Sequence, residues 1–265
     1  MACAGPRFSR LPISGAGVPL ASIVDCPSFC DGVDGSSVAL LPAAIADSDF
    51  SRTVGHGATR IAYRDLADFV TRLAALCAGR DDARYVYAYW SDFDHLAHIH
   101  GPSSPQVAAH FQALDKALSG LADICARHGT LLVATADHGF LDSGPQERID
   151  LAEHPRLAEL LTLPLCGEPR STYCYVRHHE AARFEDYVRT ELAHYTNLVA
   201  SPQLVADGWF GHGLPHPELL VRIGDYTLQM RERYTIRDRV SGERDMDLFG
   251  MHGGVTAAEQ RVPLL

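Results

Sequence analysis

A cluster of side chains suited to metal binding lies in the stretch DFDHLAHIH, which begins at Asp92. It holds the carboxylates of Asp92 and Asp94 and the imidazoles of His95, His98 and His100. Carboxylate oxygen and imidazole nitrogen are the ligand atoms of zinc and similar divalent ions at catalytic sites, where one position stays open for substrate or water. If the stretch is helical, the four-residue spacing places Asp94 and His98 on one face, where they could share an ion.

Two later segments carry the same types of ligand. Asp137 and His138 follow an apolar run in TLLVATADHGF, and His252 lies beside glycines in FGMHGGVT, where the backbone can approach other segments closely. Each feature alone also fits an ordinary role, since a DxxxH pair is commonly a solvated pair on a helix, and Asp-His after a strand is commonly part of a turn. We interpret His95 and His100 as surface residues or as supports for a ligand.

The elements that must position these residues alternate between apolar strands and helices, which is typical of α/β proteins. The sequence predicts a helix over YRDLADFVTRLAALC, a strand over ARYVYAYW, and a long helix that begins near Ser104 and Pro105 and ends at Gly129. TLLVATADHGF predicts a central parallel strand covered on both faces. We also predict a short strand in VPLASIVDC and two β segments in HPELLVRIGDYTLQMRERYTI.

Together these patterns predict one α/β domain over residues 1–265, with a mostly parallel central sheet and helices on both faces. A less regular α+β insertion is expected at about 165–245. Ligands of open α/β sheets bind beyond the carboxyl ends of the strands, because loops and helix N-termini converge there. Asp94 and Asp137 both follow predicted strands, so we expect them near this edge.

Composition excludes several classes of partner. Acidic residues outnumber Lys and Arg by 33 to 23, so the surface lacks the positive field that a nucleic acid polymer requires. No apolar stretch has the length of a membrane span, and prolines and glycines interrupt the apolar start of the chain, which argues against a signal peptide. The seven cysteines are scattered and show no CxxC pair, which indicates reduced thiols in a cytoplasmic protein.

The combination DFDHLAHIHGP, TADHGF and GMHGG resembles the alkaline phosphatase superfamily, and within it the type I phosphodiesterase/nucleotide pyrophosphatase family. The first motif of that family is an Asp followed four residues later by a His and then by Gly-Pro, which Asp94 and His98 match. The second is Asp-His-Gly after a buried strand, matched at Asp137 and His138, and the third is a late His beside glycine, matched by His252. The HIHGP run favours this family over sulfatase and phosphoglycerate-mutase relatives.

The resemblance extends from GVPLASIVDCPSF to RVPLL and implies an alkaline-phosphatase-like fold with two metal ions, zinc above others, for the hydrolysis of phosphate esters. By position, Asp94, His98 and His252 are expected to hold one ion and Asp137 and His138 the other. Two ions about 4 Å apart neutralise charge on both the attacking and the leaving oxygen. The implied substrate is a small-molecule phosphate ester or a nucleotide. Its identity and the oligomeric state stay open.

The sequence departs from the family where the family has a first strand that ends in a metal-binding Asp and is followed by a Thr or Ser nucleophile. Asp25 follows an apolar run that resembles a later strand, and Thr53 and Ser28 are hydroxyls without the expected nucleophile context. We therefore expect the chain to correspond to the C-terminal part of such an enzyme, N-terminally truncated, with the nucleophile not identified. Two interpretations follow: a metal-dependent hydrolase, or a catalytically impaired metal-binding remnant.

Overall fold

The structure is a computed structural model that describes residues 13–24, 26–79, 83–239 and 247–265. The helices of these residues are, in chain order, α1 (Asp49–Val54), α2 (Leu66–Ala78), α3 (Asp92–His100), α4 (Pro105–His128), α5 (Pro155–Leu160), α6 (Ala181–Glu191), α7 (Ser201–Ala206), α8 (Leu219–Arg222) and α9 (Ala257–Gln260). Their strands are β1 (Ser36–Pro42), β2 (Thr59–Tyr63), β3 (Ala83–Ala88), β4 (Leu141–Asp142), β5 (Arg148–Asp150), β6 (Cys166–Glu168), β7 (Ser171–Cys174), β8 (Thr196–Ala200), β9 (Tyr226–Met230), β10 (Thr235–Arg237) and β11 (Gly250–Met251).

Contacts between residues divide the chain into two compact units. The first comprises Met1–Asp94 and Ala109–Val133, and the second comprises His95–Ala108 and Ala134–Leu265. Helices α3 and α4 each contribute residues to both units. The expectations of a single domain over residues 1–265 and of an insertion at about 165–245 stay predictions.

A parallel sheet in the order β2-β1-β3 organises the first unit. The central strand β1 is buried along most of its length, which is typical of a parallel strand covered on both faces. On one face Leu40 packs with α2 and α4. On the other face Ala39 and Leu41 pack with Ala46 and Ala58. The α/β prediction is confirmed by this parallel sheet with its packed helices.

Helices α2 and α4 form where the sequence predicts them. Asp65 caps α2, because its side chain accepts a hydrogen bond from the backbone N–H of Asp68 at 2.9 Å. Ser104 caps α4 through the N–H of Val107 at 3.3 Å, and Gly129 follows its last residue in the left-handed region, with φ of 70°. The apolar stripe of α2, which packs into the core, consists of Phe69, Leu73 and Cys77.

An antiparallel sheet in the order β6-β7-β9-β8 organises the second unit. Helix α6 packs on it through Phe184 and Val188, which lie in one cluster with Leu228 and Met230 of β9. A smaller antiparallel pair joins β4 to β11, and a parallel pair joins β5 to β10. In the β4–β11 pair, β4 follows His138 closely and β11 ends directly before His252.

Three predicted strands are wrong. The run VPLASIVDC contains a turn of 3₁₀ helix at Leu20–Ser22, and Asp25 lies outside the described residues. The β segment predicted from HPELL is helix α8, which precedes β9. In TLLVATADHGF the described backbone forms an isolated bridge from Thr135 to Leu264, while Leu131 is 87% exposed. An apolar run forms a strand only where a neighbouring strand pairs with it, and apolarity does not specify that neighbour.

The six cysteines in the described part of the chain are all free thiols. Among the same residues, no helix is both long and apolar enough to cross a lipid bilayer.

Candidate metal centre

Helix α3 divides the histidines of its sequence between two environments. Its helical geometry places Asp94 and His98 one turn apart and half-buried, as the spacing predicts. His95 and His100 are exposed, and Ala97 is fully buried against the C-terminal segment. The boundary between the two units falls inside this helix, between Asp94 and His95. Asp94 and His98 nevertheless belong to one continuous helix.

Strand β11 fixes the position and the tautomer of His98. The N–H of Phe249 donates to the His98 carbonyl at 2.8 Å, and Nδ1 of the His98 ring lies 2.8 Å from the Gly250 carbonyl. A carbonyl can only accept, so Nδ1 carries a hydrogen and Nε2 is the nitrogen that could bind a metal. Gly250 permits this approach, because a Cβ atom there would lie 2.1 Å from the carbonyl oxygen of Ala97.

The pairing of β4 with β11 brings His138 towards His252. Gly250 pairs with Asp142, and Met251 pairs with Leu141. The residue directly after His138, Gly139, is also held, since its N–H donates to the carbonyl of Glu259 at 2.7 Å. These contacts fix the backbone on the C-terminal side of His138 and on the N-terminal side of His252. Both imidazoles are therefore held by tertiary contacts of the second unit.

His252 is the common member of two close groups. Its Nε2 lies 3.2 Å from Nε2 of His98. Its ring also stacks on that of His138, with centroids 3.6 Å apart. In addition, Asp94, His138 and His252 each offer a ligand atom, and these three atoms all lie within 4.8 Å of one another. The structure thus gathers three of the other four predicted ligands, Asp94, His98 and His138, around His252.

The chemistry and spacing of these donors fit a divalent metal ion. Zinc binds imidazole nitrogen at about 2.0–2.1 Å, so two nitrogens of one tetrahedral site lie about 3.3 Å apart. The 3.2 Å between Nε2 of His98 and Nε2 of His252 agrees with that value. A carboxylate beside imidazoles adds negative charge that favours a divalent cation, and Asp94 offers one here.

Asp137 is placed differently from the other predicted ligands. Its side chain is 74% exposed, and Oδ1 lies 3.7 Å from Nε2 of His138. The same oxygen accepts the backbone N–H of His138 at 3.1 Å, a local turn contact. His138 belongs to the group with Asp94 and His252, so the assignment of Asp137 and His138 to a separate ion stays a prediction.

Phe140 is a residue of the site that the sequence interpretation missed. Its ring meets the rings of His98, His138 and His252 edge to face, with centroids 5.2, 5.1 and 5.1 Å away. The aromatic ring thus packs against all three imidazoles and adds apolar surface beside them. Its position two residues after His138 was the available signal, but an aromatic residue after a turn is too common to indicate a role.

The two candidate hydroxyls lie in the first unit. The Ser28 hydroxyl donates to the carbonyl of His56 at 2.7 Å and accepts the N–H of Cys30 at 3.2 Å, which are the contacts of a turn residue. Thr53 lies within α1.

Two solved structures share this fold. One is an inactive form of murine ectonucleotide pyrophosphatase/phosphodiesterase 5 in complex with AMP, which is 19% identical to this chain. The match covers 87% of this chain and 59% of the murine one, with a TM-score of 0.60. Phosphonoacetate hydrolase from Sinorhizobium meliloti 1021, in complex with phosphonoformate, is 16% identical, with coverage of 87% and 65% and a TM-score of 0.60. The chain spans less than two thirds of either structure's length.

Among curated protein sequences none matches the chain. The family model described as type I phosphodiesterase/nucleotide pyrophosphatase matches residues 27–255. That range includes α3, the Asp137-His138 turn and His252, so the match spans every element of the candidate metal centre. The chain belongs to the type I phosphodiesterase/nucleotide pyrophosphatase family.

Proposed function

We propose that the chain binds a divalent metal ion through Asp94, His98, His138 and His252 and hydrolyses phosphate esters. The observation that carries this proposal is the close approach of three other ligands to His252, with 3.2 Å between the Nε2 atoms of His98 and His252. Zinc is the metal that we expect first, because imidazole nitrogen and carboxylate oxygen form its catalytic ligand sets.

When bound, a divalent ion would supply Lewis-acid chemistry, polarising a phosphoryl oxygen and neutralising charge that develops on it. The chain's own residues prepare the place where this happens. The hydrogen bond from Nδ1–H of His98 to Gly250 keeps Nε2 available as a ligand atom, and Phe140 shields one side of the imidazoles from water. The exposed carboxylate of Asp137 is our candidate for a weaker, second ion site beside His138.

The proposed substrate is a small-molecule phosphodiester, pyrophosphate or nucleotide. Family membership supports a phosphodiesterase or pyrophosphatase reaction. The murine relative was solved with AMP and the bacterial one with a phosphonate, which are both small anions that contain phosphorus. The excess of acidic over basic residues, 33 to 23, disfavours a nucleic acid polymer.

The alternative is a metal-binding chain without appreciable turnover. It is supported by the two candidate hydroxyls, since Ser28 makes the hydrogen bonds of a turn and Thr53 is part of a helix. A chain without a positioned nucleophile should react slowly, because positioning alone can lower the activation barrier by about 7 kcal/mol or more.

The test is the steady-state rate on a nitrophenyl phosphodiester, with zinc and with a chelator. We expect slow turnover that is lost with the chelator and in His98→Ala, and kept in His95→Ala, which removes an exposed histidine of the same helix. Intact-mass analysis should find no phosphorylated protein. Zinc binding without turnover favours the alternative, and turnover that survives the chelator contradicts the proposal. Fast turnover with phosphate on Thr53 or Ser28 would identify a nucleophile in this chain.

A further inference from the structure

An ion pair is completely buried in the second unit, away from the imidazoles themselves. Arg170 is 0% exposed and Glu259 is 1% exposed. The guanidinium binds the carboxylate in the two-pronged geometry, with Nε to Oε1 at 2.9 Å and Nη2 to Oε2 at 2.8 Å. Arg170 lies in the turn between β6 and β7, and Glu259 lies on α9, so the pair ties the antiparallel sheet to the C-terminal segment.

Among the described residues, the other hydrogen bonds to the Glu259 carboxylate come from the residues just after His252. Oε1 accepts the N–H of Gly254 at 2.8 Å. Oε2 accepts the N–H and the hydroxyl of Thr256 at 3.3 and 2.7 Å. The Gln260 side chain binds the following peptide, since its Nε2 donates to the Gly254 carbonyl at 2.7 Å.

Arg170 is fixed in turn by the sheet. Its Nη1 donates to the carbonyls of Arg231 and Tyr234, and its own carbonyl accepts the N–H of Met230 at 2.9 Å. These hydrogen bonds tie the guanidinium to the sheet. It acts as a fixed anchor to which Glu259, and through it Gly254, is attached.

Stability alone is a poor explanation for this arrangement. Replacing a buried ion pair by apolar side chains of similar volume is often neutral or stabilising, because the charges lose their hydration. In some proteins a buried polar or ionic group instead selects one arrangement of the segments that it joins. Here the selected segment is the His252 loop, with Met251 paired in β11 on one side and Gly254 bound by Glu259 on the other.

We propose that Arg170 and Glu259 are positioning residues that hold His252 in its ligating position. The proposal rests on the metal centre of the proposed function. Residues that orient a metal ligand without touching the ion commonly contribute about 10- to 100-fold to metal affinity. The pair contacts the backbone of the His252 loop and leaves the imidazoles themselves untouched.

Two variants separate positioning from folding. Glu259→Gln keeps the shape of the side chain but leaves the Arg170 charge without its partner. The double variant Arg170→Met with Glu259→Met removes both charges, so the fold does not have to bury an unpaired one. Glu185→Gln is the matched control, because it makes the same substitution in the same unit at a carboxylate that binds Tyr226.

The measurements are zinc affinity, thermal stability and amide hydrogen exchange over residues 250–256, with and without zinc. We expect zinc affinity to fall about 10- to 100-fold in both Glu259→Gln and the double variant, and amide exchange in the His252 loop to accelerate, with the control unchanged. The double variant should recover stability relative to Glu259→Gln without recovering affinity. Recovery of both, or unchanged exchange in the loop, would overturn the positioning role.

The proposed function fails by a different result. If the wild-type chain binds no zinc, the proposed metal centre is wrong, whatever the results with Glu259→Gln and the double variant. Exchange at the amides of Gly254 and Thr256 in the metal-free wild type then still decides whether the pair holds the loop. Slow exchange there is expected, and rapid exchange would contradict the contacts to Glu259.

Discussion

His252 and Asp137 both lie beside His138, but the backbone segments that carry them are held very differently. Met251 is paired in β11, and Gly254 donates to the buried Glu259, so His252 is fixed on both sides. Asp137 follows a run that forms an isolated bridge, and its side chain is 74% exposed. Two residues that the sequence predicts equally well as metal ligands can therefore differ greatly in how firmly the surrounding structure holds them.

The largest loss of zinc affinity should come from replacing His252, the residue whose segment is fixed on both sides. His252→Ala removes the member shared by both close groups, so we expect zinc affinity to fall by about 100-fold or more, beyond the loss typical for a residue that only orients a ligand. Isothermal titration of the metal-free chain measures this. His95→Ala on the exposed face of α3 is the control, and equal affinity in wild type and His252→Ala contradicts the assignment.

The second effect concerns the close packing that holds the fixed side. In Gly250→Ala the new Cβ would lie 2.1 Å from the Ala97 carbonyl, so β11 must shift away from α3. We expect the free energy of unfolding to fall by about 1–3 kcal/mol, as for other overpacked sites. Denaturant titration measures it.

The matched control for that substitution is Gly120→Ala on α4. Nothing lies within 4 Å of a Cβ built there, and alanine favours a helix over glycine. The control should be neutral or stabilising. A loss of stability in Gly120→Ala as large as in Gly250→Ala would show that close approach is not the cause.

A smaller effect is expected on the exposed side. Asp137→Ala should change the affinity of the tight zinc event by less than about 10-fold, because its carboxylate is mostly solvated and makes a local turn contact. Wild-type titration should show one tight event and one that is weak or absent. Two equally tight events would mean that Asp137 is as well supported as His252 and that a ligand has been overlooked.

The smallest effect is a dependence on pH. Burial raises the pKa of Glu259, but hydrogen bonds from Arg170 and Thr256 and the Arg170 charge lower it by more, so the folded-state pKa lies below the ordinary 4.5. A carboxylate with a lowered pKa adds stability above its unfolded-state pKa and loses it as pH falls through the folded-state pKa. The difference in unfolding free energy between wild type and Glu259→Gln should therefore narrow below pH 4.5. A constant difference would contradict the role of the charge.

The sequence predicts the features that depend on local signals and misses those that depend on distant partners. Helices α2, α3 and α4 follow from apolar periodicity, caps and Gly129, which are local signals. The candidate ligands follow from residue type and motif spacing. The strand expected at TLLVATADHGF fails because strand formation depends on a distant partner, here reduced to Thr135 and Leu264. The pairing of Arg170 with Glu259, 89 residues apart, has no sequence signal at all.

The most direct test of the metal centre is zinc-edge X-ray absorption on the zinc-loaded chain. The described cysteines are free thiols and compete with the imidazoles for zinc, so the type of ligand decides the matter. We predict a shell of nitrogen and oxygen at about 2.0–2.1 Å with the multiple-scattering pattern of imidazole, reduced in His252→Ala. A sulfur shell at about 2.3 Å, or a spectrum that His252→Ala leaves unchanged, would contradict a zinc site built around His252.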